Sequence, residues 1–265
     1  MGAGARLVGT GGGGHGDMDP KAIQPSPVTT LTCWHHWAMT AEHAAEYSAS
    51  RERIGALLTQ DDADVVVPAC PAWTVADLCA HLAGVSSDLV NRVRPGADGQ
   101  AWVDGHVSSR KGRSIDSLLD EWGSISAAYE QLMVDKSHAF AFLLLDIVAH
   151  EHDLRHALGR PGGRDERGLV LSMAFEEQLL RKDLAALGDG SLVVRSADGE
   201  WTAGEGDARV ELDLSDRPHG TFELFRLLGS RRSSAQLAAY PWQGDWHQLR
   251  HGIFHMELPA SDIVE

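Results

Sequence analysis

Apolar positions in the first two thirds of the chain recur at helical spacing, and after Gly188 they alternate. Thr40 to about Leu58 reads as a first helix, with Ala44, Tyr47, Ile54 and Leu58 on one stripe. A connection with two prolines, VVVPACPAW, follows Asp61 and Asp62. Thr74 opens a second helix, TVADLCAHLAG, with Asp77 at a capping-box distance and Gly84 as its expected stop. Residues 91–113 are Gly-rich and charged, and read as a long surface loop. Ser114 caps a third helix, whose apolar face is Leu118, Trp122, Ile125 and Leu132. The fourth, AFAFLLLDIVAHEHDLRHALG, runs from Ala139 to Gly159, with Pro161 beyond it. A fifth helical stretch from Leu169 stops at Gly188.

The later segments SLVVRS, EWTAG and ARVELDLS read as short strands between turn signals. GTFELFRLLGS and SSAQLAAY read as short helices, and the final twenty or so residues give no clear period. The pattern predicts an α+β chain, with a helical part over 39–188 and a small α+β domain over 189–265. Residues 1–38 are dense in Gly and Pro without a period, and predict a disordered tail. Its Cys33-Trp34-His35-His36 cluster reads as incidental, and Met39 as the more natural start.

Composition narrows the class. There are 38 acidic against 23 basic residues, a net charge of −15. That disfavours nonspecific contact with nucleic acid or an anionic membrane, and ordinary solubility explains most of it. Cys33, Cys70 and Cys79 are too few, and odd in number, for a disulfide framework. With no apolar signal core and no run long enough to span a bilayer, the expected compartment is the cytoplasm. The sequence leaves the oligomeric state open.

The candidate chemistry lies in the fourth helix. Asp146 interrupts an otherwise apolar run, where a lone charge is costly. His150 follows four residues later on the same face, and Asp153 beyond it. A carboxylate and an imidazole one turn apart can share a divalent metal, and a third ligand must come from elsewhere. His81, on the second helix, is the candidate, beside the plainer reading of a satisfied buried histidine. Asp153 is equally a surface acid or an acceptor for a ligand histidine's ring N–H. Trp73 reads first as packing at the bundle end and second as a wall of the substrate pocket, Cys70 and Cys79 as buried fillers, and His152 and His156 as solvated or surface-packed. Arg231 and Arg232 read either as contacts for an anionic substrate or as a solvated helix start.

The wording VPACPAWTVADLCAHLAG, with the later acid-x-x-x-His helix and FELFRLLGSRRSSAQLAAYPWQGD, resembles the mycothiol-dependent maleylpyruvate isomerase family over residues 39–260. The resemblance implies a DinB-like up-down four-helix bundle followed by a small α+β domain. It implies a divalent metal, most naturally zinc, held by His81, Asp146 and His150. Asp146 stands where the family pattern has Glu, one methylene longer. It also implies mycothiol as thiol cosubstrate. Thiolate adds to the cis double bond of a small electrophile, the bond rotates, and elimination gives the trans product; S-transferases of the group keep the adduct. The competing expectation is a non-catalytic metal-binding or regulatory protein on the same bundle. Removing residues 1–38 is expected to leave melting temperature and metal content unchanged, as calorimetry and elemental analysis would show; a large loss in either would refute the reading of that segment.

Overall fold

The computed structural model describes residues 41–135, 141–164 and 167–265. The calls on residues 1–38, on the Cys33–His36 cluster and on Met39 lie outside them, as do Ala139 and Phe140 of the predicted fourth helix. The helical part comprises α1 (Ala41–Leu57), α2 (Val75–Val90), α3 (Gly99–Ser109), α4 (Ile115–Asp135), α5 (Ala141–Ala157) and α6 (Arg167–Ala186). Four of these close a bundle: α1 and α2 each pack against both α4 and α5, so they take opposite corners. α3 lies against α2, and α6 against α5 and α1. Among the described residues, no helix is long and apolar enough to cross a membrane.

The starts and stops follow capping chemistry, with two corrections. Thr74 caps α2 as its spacing predicts: its hydroxyl accepts from Asp77 N (3.2 Å), and Asp77 Oδ2 accepts from Thr74 N (3.1 Å). Gly84 does not end α2, which runs on to Val90. It is buried, and a Cβ there would stand 2.5 Å from His106 Cβ, so the glycine is a packing notch for α3. The second correction is α3 itself, within the 91–113 stretch read as a loop. Asp98 caps it, accepting from Ala101 N at 3.0 Å. On α4 the buried face is Ile115, Leu118, Trp122, Tyr129 and Met133, with Ile125 and Leu132 only half-buried. Gly159, at φ 60°, takes the left-handed turn after α5 that its place predicted.

The rest is a four-stranded sheet with short helices. β1 (Gly190–Ser196) and β2 (Gly199–Glu205) form an antiparallel hairpin, and β3 (Ala208–Leu214) runs parallel to β1. After α7 (Gly220–Leu228) and α8 (Ser234–Ala239), the short β4 (Trp242–Gln243) joins β3, giving the order β2-β1-β3-β4. The unclear tail holds β4, a 3-10 turn at Trp246–Gln248 and α9 (Arg250–Ile253). α6 packs on α5 and α1, and also on β1, β2, α7 and α9. The apolar core is consequently continuous from Ala44 to Ile253 rather than split in two.

α6 buries one acid without a hydrogen bond. Glu176 is fully buried, both its oxygens lack a hydrogen-bond partner among the described residues, and His255 Nε2 lies 3.8 Å away on an imidazole that burial keeps from protonating. Burial, opposed only by Arg231, holds its carboxyl well above the ordinary range. The unfolded chain therefore gives up this proton from about pH 4.5 upward while the folded chain retains it, so the site loses stability as pH rises. Glu176→Gln is expected to match the parent in urea midpoint near pH 4 and to exceed it at pH 7.5; equal midpoints at pH 7.5 would count against a neutral buried acid.

Candidate metal centre

Two helices and one connection build the centre. α5 presents Asp146 and His150 one turn apart, and α2 presents His81 from the facing corner. Both imidazoles are buried, while Asp146 keeps about a quarter of its side chain open (27 %). His81 Nε2 lies 3.6 Å from Asp146 Oδ2, and His150 Nε2 lies 3.4 Å from Asp146 Oδ1. One ligand atom from each of the three residues falls within 4.8 Å of the others. The contacts to Asp146 are long for hydrogen bonds. They suit donors spread around a small ion, since metal–ligand bonds of about 2.0–2.1 Å in a tetrahedron put the ligand atoms roughly 3.3–3.5 Å apart.

The charges point the same way. Burial pushes the Asp146 carboxyl up, but the charge and hydrogen bonding of His150, then His81, hold it well below the ordinary range. Burial pulls the His150 imidazole down, and Asp146, then Asp153, outweigh it and lift it to about 9. Without a metal the protonated His150 imidazole answers the charge of the ionised Asp146, and a metal ion held between them would take over that role.

Asp153 is no surface acid. Its side chain is fully buried, and Oδ2 accepts from His150 Nδ1 at 3.0 Å. Arg226 Nη2 donates to Oδ1 at 2.8 Å, and Arg231 Nη2 donates to Oδ2 at 3.0 Å. Burial raises this carboxyl, and Arg231, then Arg226, bring it well below the ordinary range. The expectation of a solvated helix start at Arg231 and Arg232 fails, because both are buried. Arg231 spends its remaining amine on Gly229 O at 2.8 Å. Arg232 pairs with Glu223 at 2.7 Å and Glu265 at 3.0 Å.

Other expectations need correcting. Trp73 borders the centre: its ring centroid is 5.1 Å from that of His81 and 6.4 Å from that of His150. Consecutive turns place it there, with Cys70 N donating to Val67 O and Trp73 N to Cys70 O. Cys70 is half-buried and packs against the apolar core as expected, and it also lies near His150 and Asp153. Burial, then Asp153, push its thiol up to about 12. Cys79 is buried as expected. His152 is buried against Phe222 and Phe225, and His156 is half-buried. His106 was missed altogether. Its ring lies 5.6 Å from that of His81, and its Nε2 lies 3.1 Å from Asp88 Oδ2, which also accepts from Trp102 Nε1 at 2.7 Å. The only sequence signal was an aromatic and a histidine one turn apart in a glycine-bearing stretch.

Residues 43–155 match the family model described as the mycothiol maleylpyruvate isomerase N-terminal domain. Over that stretch, which ends within α5, the chain is similar to that domain. His81, Asp146, His150 and Asp153 all lie inside the matched stretch, while α6, the sheet and the two arginines lie beyond it. No curated protein and no solved structure matches the chain. Asp153→Ala would leave both guanidiniums buried without their carboxylate. It is expected to cost about 3–5 kcal/mol in guanidinium-induced unfolding; a loss below about 1 kcal/mol would mean that the network does not tie the two parts together.

Proposed function

We propose that His81, Asp146 and His150 hold a divalent ion, zinc by the donor set, and that the centre serves a thiol-dependent reaction on a small electrophile. The observation that carries this reading is the spacing of two imidazole nitrogens around one carboxylate, at 3.4 and 3.6 Å. Mycothiol is the thiol that the family's description supports. Two nitrogens and one oxygen leave a tetrahedral ion at least one open position. When bound there, the ion supplies Lewis acidity that lowers the pKa of an incoming thiol.

The chain's own groups have separate tasks. Asp153 holds the proton on His150 Nδ1, so that Nε2 is the nitrogen left to ligate an ion seated beside Asp146. The Trp73 ring covers the two imidazoles and limits water on that side. Cys70 stays a thiol at neutral pH and does not compete as a nucleophile. Arg226 and Arg231 are committed to Asp153 and fix the later part of the chain against α5. On a cis alkene the activated thiol adds, the new single bond rotates, and loss of the same thiol gives the trans product. On an electrophile with no such exit, the carbon–sulfur bond remains and the reaction is S-transfer.

His81→Ala and His150→Ala are each expected to lose zinc by elemental analysis while keeping their helical circular dichroism. Full metal content in either variant would remove the proposed ligand set. The cobalt-substituted parent is expected to change its visible spectrum on addition of a low-molecular-weight thiol. A spectrum indifferent to thiol would favour a closed, non-catalytic centre.

A further inference from the structure

An imidazole that offers Nε2 to a metal carries its proton on Nδ1, and that N–H needs an acceptor. For His150 the acceptor is Asp153. His81 Nδ1 is buried and has no hydrogen-bond partner among the described residues. The ring beside it is His106, at 5.6 Å between centroids and 46° between planes.

His106 is oriented to complement it. Its Nε2 faces Asp88 Oδ2, and an ionised carboxylate only accepts, so Nε2 carries the proton. Nδ1 is then a lone pair, and it too is buried and without a partner among the described residues. Trp102 Nε1–H donates to the same Asp88 oxygen and fixes it from the other side. Gly84 lies three residues after His81 on the same face of α2, and any Cβ there would collide with the His106 ring. A side chain is missing at the position that lets the second imidazole approach the first.

We propose that His106 is a positioning residue for His81: its Nδ1 accepts the His81 Nδ1 proton across one bridging water, so that the Trp102–Asp88–His106 chain fixes the tautomer that presents His81 Nε2 to the metal. This rests on the reading of His81 as a ligand. One water satisfies both stranded nitrogens, each of which is costly to bury alone. The two ligand histidines are then oriented by different devices. His150 relies on a carboxylate that also binds the later part of the chain, and His81 on a relay contained between α2 and α3.

The test uses nitrogen-15 histidine spectra of the full chain, zinc-free and zinc-loaded, for the parent, His106→Phe and Asp88→Asn. His106→Phe keeps a ring against Gly84 and Trp102 but removes the acceptor. Asp88→Asn leaves His106 in place and removes the carboxylate that sets its tautomer, so it carries the same readout if the first variant folds poorly. The zinc-free parent is expected to show His81 protonated on Nδ1, held there by the bridged His106 acceptor. Both variants are expected to lose that preference and to bind zinc roughly 10–100-fold more weakly, with His106→Gln recovering part of the affinity through its carbonyl. An unchanged His81 tautomer in both variants would overturn the proposal. A parent that takes up no zinc, with the His81 tautomer still lost in both variants, would sink the metal reading and with it the metal-presenting role, while showing that the His106 contact itself is real.

Discussion

A carboxylate with no access to solvent governs this structure. Asp153 lies inside a helix buried on all sides, where an unpaired charge would be expelled or protonated. Two guanidiniums and an imidazole answer it, each with short contacts. Excellent geometry is what lets such a network offset its desolvation. The result couples two separate matters. The same oxygen that orients His150 is gripped by Arg231, so the orientation of one candidate ligand depends on how the later part of the chain docks.

The helical framework was largely legible because its causes are local. Asp146 and His150 announce themselves as polar groups one turn apart in an apolar run, and Thr74 with Asp77 marks a helix start. His81 was less visible: spacing alone made it an ordinary buried histidine, and the family resemblance singled it out. Gly84 was misread because a glycine inside a helix and one beyond its end look alike in sequence. Only the ring packed against it shows that room, not termination, is its role. α3 was hidden by Gly99, Gly105, Asp104 and Ser108, which dilute any apolar period.

The remaining misreadings share one origin. The surface reading of His152, and the solvated alternative for Arg231 and Arg232, both take a polar side chain without a local partner to face water. α5 has none over most of its length, because α1, α2 and α6 surround part of it and the α7 segment covers the rest. A helix of this kind cannot sort its polar residues into inside and outside. It must find each one a specific partner, and those partners sit 73 and 78 residues away for Asp153. No window of sequence short enough to read by periodicity contains both ends of such a bond.

The docking of α7 and the turn after it bears on how such a chain is engineered. The family match ends at residue 155, two residues past Asp153 and well before the guanidiniums that neutralise it. The recognisable unit and the self-sufficient unit are thus different stretches of polypeptide. A chimera cut at the border of the match would carry a charge deficit into its interior, and any foreign tail grafted there would have to bring two arginines of its own.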